Sequence, residues 1–375
     1  DARERARQHA ARLVGGAREH AAERPLVDSF MQEFGLSNAE GVAMMCLAEA
    51  LLRIPDDDTA DRLIAEKIAA GHWEAHRGRS PSPFVNASTW GLMLTGRIVK
   101  MKRGKAGAPM GLLRRMVTRS GEPVIRQALR QAMRIMGDQF VLGRTIDEAL
   151  GRAGSLEAKG YRFSFDMLGE AARTNADAER YFERYKHALK IIGKAMPPPQ
   201  GKLADVLGDR PSISVKLSAI HPRCEAGREE QLEAELLPRI IELAETAREL
   251  SIALTIDAEE QDRLDVTLDC FAAVFLDPSM ARWSGLGIAV QAYGKRAIPV
   301  LRWLRKLALQ TGKRIPVRLV KGAYWDSEIK WAQERGLPDY PVFTRKVNTD
   351  VSYLACARFL LSEPAAFYPQ FATHN

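Results

Sequence analysis

From residue 160 onward the sequence alternates short β-type apolar runs with longer helical ones, and this alternation constrains the fold more than any other feature. Runs at 163–167, 213–217, 253–257, 287–291, 317–320 and 369–373 read as strands. Segments at 229–250, 297–311 and 345–361 carry the 3.6-residue apolar period of amphipathic helices. Such alternation implies a parallel sheet. Six strand–helix units fit a distorted (β/α)8 TIM-type barrel, and a doubly wound sheet also satisfies the pattern. A barrel two strands short would expose edges and core, so the chain reads as a fragment that stops before its barrel closes. The first residue, Asp1 in place of an initiating Met, agrees with that expectation.

The first 150 or so residues read as helical. Residues 1–23 are rich in Ala, Arg and Glu with no strong apolar stripe, and Pro25 ends them, giving a helical arm over 1–26. Ser37 and Glu40 have capping-box spacing ahead of an apolar run to Leu52. A helical domain and linker are expected over 27–155, and the barrel over 156–375. The first thirty residues contain no apolar h-region, and no run approaches the ~18 residues that cross a bilayer, so a cytoplasmic protein is expected. Cys46, Cys224, Cys270 and Cys356 are widely spaced without a CxxC pair, which favours buried thiols over disulfides or zinc. The formal net charge of +8 is concentrated: between Arg97 and Arg134 eleven Lys or Arg face one acid, Glu122. A patch of this kind suits nucleic acid, an anionic lipid, a scaffold or a phosphate-bearing cofactor, or it is a solvated helix face. No nucleic-acid-binding signature accompanies it, so no nucleic acid is expected in this segment.

In a barrel the reactive groups stand at the C-terminal ends of the strands. Here those ends are polar throughout: Asp166 and Glu170; Lys216, Ser218, His221 and Arg223; Asp257, Glu259 and Glu260; Gln291, Tyr293, Lys295 and Arg296; Arg318, Lys321, Tyr324, Trp325 and Asp326; Thr373, His374 and Asn375. Charges set against an apolar core are costly unless paired or liganded. Lys216 or Lys321 has the chemistry for a Schiff base, or for an ion pair with Asp257 or Glu259. Asp257, Glu259 and His374 are candidate ligands for a divalent metal. Arg318 with Lys321 and Gly322 would suit an electron-rich ring and its phosphates. The residues alone leave these chemistries open.

The strand-end segments are more specific when taken together. FSFDMLGEAA at 163–172, SVKLSAIHPR at 214–223, TIDAEEQDR at 255–263, VQAYGKR at 290–296, RLVKGAYWDSEIK at 318–330, YPVFTRKV at 340–347 and YPQFATHN at 368–375 resemble, in that order, the proline dehydrogenase domain of the proline utilization A family. GEPVIRQALRQAMRIMGDQFVLG at 121–143 resembles the helical segment leading into that barrel. The resemblance implies FAD-dependent oxidation of L-proline to Δ1-pyrroline-5-carboxylate, with hydride passing to flavin N5. Electrons would then leave to a membrane quinone through a peripheral membrane contact. NAD would serve only a second, aldehyde dehydrogenase domain, of which there is no trace, and the full enzyme would be a homo-oligomer. The ribbon-helix-helix segment of some members is also absent.

By motif position the resemblance places Arg318 beside flavin N5 and Gln291 at the ring edge. Val320, Lys321, Gly322 and Ala323 would line the flavin with Trp325 nearby, and Thr344, Lys346, Thr373, His374 and Asn375 would reach its ribityl, phosphate or adenine parts. Lys216 would pair with the proline carboxylate, Tyr324 would pack on the proline ring, and Asp257 would shape the same pocket. No residue is assigned as general base. The family's Arg-Arg-x-x-Glu clamp after the eighth strand has no counterpart before Asn375, so weak binding of FAD and proline by this stretch alone is expected.

Overall fold

The computed structural model describes residues 1–20, 59, 141–169, 171–196 and 210–373. The capping box at Ser37, the basic stretch 97–134, Cys46, Glu170, His374 and Asn375 lie outside the described residues. The chain divides into two compact units, Asp1–Arg144 and Thr145–Asn375.

In the first unit, α1 spans Ala2–Glu19, with Asp1 capping the backbone N–H of Arg3. It buries no residue, in keeping with a sequence that has no apolar stripe.

The second unit opens with α2 (Ile146–Glu157) and continues through six parallel strands in sequential order. These are β1 (Ser164–Phe165), β2 (Ser212–Val215), β3 (Ala253–Ile256), β4 (Leu286–Gln291), β5 (Ile315–Val320) and β6 (Phe367–Phe371). The crossovers carry α3 (Asn175–Ala195), α4 (Leu217–Ile220), α5 (Glu229–Glu235), α6 (Leu237–Glu249), α7 (Leu264–Leu276), α8 (Ala297–Thr311), α9 (Trp325–Glu334) and α10 (Lys346–Ser362). All six expected strands form, and the doubly wound alternative drops out because the strand order never reverses.

Local sequence explains the boundaries. Thr174 and Asp177 close a reciprocal capping box at the start of α3. The face of α3 bearing Ala178, Phe182, Tyr185, Ala188, Leu189 and Ile192 is buried, at helical spacing. The single helix expected over 229–250 is instead two, joined at Leu236. Pro238 sits in the first turn of the second, where its missing N–H costs nothing, whereas inside one continuous helix it would remove a hydrogen bond. Between sheet and helices lies the core, with Tyr185, Phe271, Phe275 and Phe367 fully buried. Cys224, Cys270 and Cys356 are buried free thiols, as expected. No helix among the described residues is long and apolar enough to cross a membrane.

One long contact reports the curvature of the sheet. Arg318 on β5 donates from Nη2 to Ser164 Oγ on β1 at 2.6 Å. In a flat sheet four strand spacings would separate those strands by about 19 Å, far beyond an arginine side chain. The sheet is therefore curled in the manner of a barrel wall, and residues of one parity converge inside it.

Candidate active site

The strand-to-strand register sets which residues share that interior. Ser214 pairs with Thr255, and Val215 with Ile256, so one step on brings Lys216 level with Asp257. On β4, Ala289 pairs with Arg318. Two of the three β4 residues of the same parity, Gly287 and Ala289, are small, with Gln291 at the strand end: a Cβ added at Gly287 would lie 2.8 Å from the Pro316 carbonyl oxygen and 3.3 Å from Thr255 Oγ1. Over Gly287 and Ala289, Arg318 reaches across β4 to the strands beyond.

At the centre Asp257 is shared by two cations. Its Oδ2 lies 3.1 Å from Lys216 Nζ, and its Oδ1 lies 3.2 Å from Arg318 Nη1. Lys216 also meets Asp166 Oδ1 at 3.0 Å, and its backbone N–H points at the buried Tyr185 hydroxyl, 3.4 Å away. Arg318 Nη1 donates in addition to Ser214 Oγ at 2.7 Å. Burial holds the Asp257 carboxyl above its ordinary range, against the opposing pull of Lys216 and Arg318 and with the support of the Asp166 charge.

Around this centre runs a second set of contacts. Glu259, buried, accepts from the Ser218 backbone N–H at 3.1 Å and meets Arg263 at 3.4 Å, while Arg263 Nε reaches Glu260 at 3.3 Å. Gln291 donates through Nε2 to the Glu259 carbonyl at 2.8 Å, and its Oε1 faces the Ala323 backbone N–H at 3.5 Å. Tyr324, at the N-terminus of α9, has its phenol pushed up to about 12 by burial and by Glu259 and Glu260. Four residues on, buried Glu328 accepts the Gln261 backbone N–H at 2.6 Å, tying α9 to the loop after β3. Burial raises the Glu328 pKa despite that bond.

The turn after β5 is built around a glycine. Gly322 has φ +134°, and a Cβ there would lie 2.5 Å from the Tyr293 ring. Tyr293 in turn binds Lys321 and Phe343 through its backbone, at 2.8 Å each. Trp325, 41% exposed, donates from its indole N–H to the Phe343 carbonyl at 3.0 Å.

Further out, Asp350 accepts Lys321 at 2.9 Å and Lys346 at 2.7 Å, and those two hydrogen bonds hold its carboxyl below the usual range. Thr344 and Thr373 are exposed at the rim, and Val320 is half-buried.

The expected residues thus separate. Lys216, Asp257 and Arg318 are brought together, with Gln291 and Tyr324 beside them. The ion pair expected for either lysine forms for Lys216 with Asp257, but Lys321 finds Asp350 on α10 in place of Asp257 or Glu259. Four strand-end groups turn away: His221 binds Glu235 at 3.2 Å, Lys295 binds Asp339 at 2.6 Å, Arg296 binds Asp265 at 2.8 Å, and Arg223 meets Glu225 at 3.8 Å. Among the described residues no group of His, Cys, Asp or Glu is placed to hold a metal. Sequence reading overlooked Ser164, Ser214, Glu328 and Asp350. The signal for the two serines was available: each lies two residues before a strand-end charge, hence on the same strand face.

Comparison with known proteins gives the family. The family model described as Proline dehydrogenase matches residues 149–375, more than half of the chain. This chain belongs to the proline dehydrogenase family. It is 52% identical over 350 residues to Bifunctional protein PutA of Klebsiella aerogenes, covering 93% of this chain and 26% of that protein. It is 26% identical over 260 residues to Proline dehydrogenase of Deinococcus radiodurans, covering 69% of this chain and 72% of that one. Among solved structures, proline utilization A from Bradyrhizobium japonicum aligns with TM-score 0.64 at 48% identity, over 93% of this chain and 34% of that one. The chain therefore spans about a quarter of the length of the curated PutA relative.

A second model, described as the DNA-binding domain of Proline dehydrogenase, matches residues 26–140. That description conflicts in part with the expectation that no nucleic acid belongs to this segment. The matched stretch contains the basic excess at 97–134.

Proposed function

We propose that this chain supplies the catalytic part of an FAD-dependent proline dehydrogenase, oxidising L-proline to Δ1-pyrroline-5-carboxylate. The observation that carries the reading is the pair of cations, Lys216 and Arg318, held by one carboxylate, Asp257, at the mouth of a curled parallel sheet. Lys216 offers its ammonium to the proline carboxylate, exchanging one of its two carboxylate partners for the substrate. Tyr324 lies alongside and would pack its ring against the proline ring.

The residues fit a flavin. The turn at Lys321–Ala323 bears no bulky side chain at Gly322 or Ala323, Trp325 lies exposed beside it, and Lys321 and Lys346 supply positive charge for phosphates. Val320, Gln291, Thr344, Thr373, His374 and Asn375 complete the set by motif position. When bound, FAD supplies the hydride acceptor at N5. Arg318 contributes a fixed positive charge where negative charge develops, an electrostatic effect that needs no reorganisation during reaction. Asp257 positions both cations.

The lysine-dependent lyase is disfavoured by the same geometry. Carboxylates at 3.0 and 3.1 Å engage the Lys216 ammonium, the form that pairs with an anion and does not attack a carbonyl. Anaerobic visible spectroscopy of the full-length protein tests the reading. Flavin bands that bleach with L-proline and not with D-proline are expected, and a protein that takes up no flavin would overturn it.

A further inference from the structure

The Arg318 guanidinium is held by acceptors on two other strands and just past a third. Nη2 donates to Ser164 Oγ on β1 at 2.6 Å, and Nη1 to Ser214 Oγ on β2 at 2.7 Å and to Asp257 Oδ1, just past β3, at 3.2 Å. The chemistry of these acceptors is unequal. Among the described residues Asp257 is the one charged partner, and it is shared with Lys216. The serines supply geometry without supplying negative charge. A carboxylate in either place would hold the guanidinium as firmly while cancelling the charge that the proposed reaction uses. Ser214 is fully buried, where a hydroxyl is costly unless it has a partner, and Arg318 is that partner.

We propose that Ser164 and Ser214 are positioning residues that fix the plane of the Arg318 guanidinium while leaving its charge largely uncancelled. The inference rests on the reading of Arg318 as the cation beside the flavin. It assigns a role to two residues that contact neither flavin nor proline in that reading. With two bonds from different nitrogens to different strands, the guanidinium can neither rotate nor retreat without breaking one. Losing either hydroxyl leaves Asp257 to draw the cation toward Lys216, away from the reacting atoms.

The test uses the full-length, FAD-loaded protein with Ser164→Ala, Ser164→Thr, Ser214→Ala and the double alanine variant. Ser164 is exposed, so its variants carry little risk to folding. Two readouts are taken: the flavin midpoint potential by dye equilibration, which needs no turnover, and kcat and KM for L-proline. Ser164→Ala is expected to move the midpoint to more negative values and to lower kcat about five- to ten-fold with KM within about two-fold, the pattern of an interaction used mainly in the transition state. Ser164→Thr keeps the hydroxyl and should restore both, while the double variant should fall further than either single one. Unchanged midpoint and kcat in the alanine variants would overturn the inference while leaving the proline dehydrogenase reading intact. So would a threonine variant indistinguishable from alanine, or a rise confined to KM. A wild-type protein that binds no flavin would remove the functional reading and this inference with it.

Discussion

Replacing Lys216 by methionine keeps the stem of the side chain and removes the charge that lies between two carboxylates. The Lys216 and Asp257 side chains retain 21% and 13% of their exposure, so their pair sits neither in bulk water nor in a dry interior. At 3.1 Å and an effective dielectric near 20, the gross attraction is about 5 kcal/mol. Desolvation of both ions offsets most of it. Arg318 stays as a counter-ion for Asp257, and the more exposed contact to Asp166 contributes little. The net loss of stability at pH 7 is thus expected to be about 1–2 kcal/mol.

The pH dependence gives that estimate a sign. Asp257 already titrates above its ordinary range, and Lys216 is the strongest influence pulling it down. Without Lys216 its folded-state pKa rises further. A carboxyl whose folded pKa exceeds its unfolded value contributes stability at low pH that is lost as pH rises through the folded value. The deficit of Lys216→Met should therefore be small near pH 4 and grow toward pH 7. Urea unfolding midpoints at both pH values measure it. A deficit that is equal at both, or larger at pH 4, would refute the argument that Lys216 chiefly balances Asp257.

Three further outcomes follow from the same geometry. Gly322→Ala places a methyl 2.5 Å from the Tyr293 ring at a φ of +134°, and should destabilise by about 1–3 kcal/mol in thermal unfolding and weaken flavin uptake in fluorescence titration. Ala289→Leu inserts bulk between Arg318 and Asp257, and should lower kcat with L-proline at least about ten-fold, as expected when a reacting group is misplaced by an ångström. Glu328→Gln keeps an acceptor for the Gln261 N–H and removes a buried charge, so urea unfolding should show stability within about 0.5 kcal/mol of wild type, whereas Glu328→Ala orphans that N–H and should cost about 1–3 kcal/mol.

Much of the fold was legible before any coordinate. Strand–helix alternation implied a parallel sheet, and all six apolar runs became its strands in order. The helix expected at 297–311 forms as Ala297–Thr311, because its apolar period, uninterrupted by internal proline beyond the first turn, is a local property. Pro238 shows the limit of that reading: a periodic pattern continues across it while the hydrogen bonding does not. At the site, the charged strand ends were legible as a set, since strand parity and the C-terminal position of strand ends are written in the sequence.

The pairing within that set was not. Whether Lys216 or Lys321 meets Asp257 depends on which strands the curl brings face to face, and Lys321 instead lies within reach of Asp350 on α10. Ser164 and Ser214 gain meaning only from an arginine 154 and 104 residues away. The sequence by itself determined the elements, their order and the polarity of each strand end, because these follow from backbone periodicity and local burial. Only the tertiary structure decided which charge balances which and how much of the Arg318 charge is left uncancelled. Electrostatic and hydrogen-bond energies depend on distances of a few ångströms, and the closure of the sheet sets those distances.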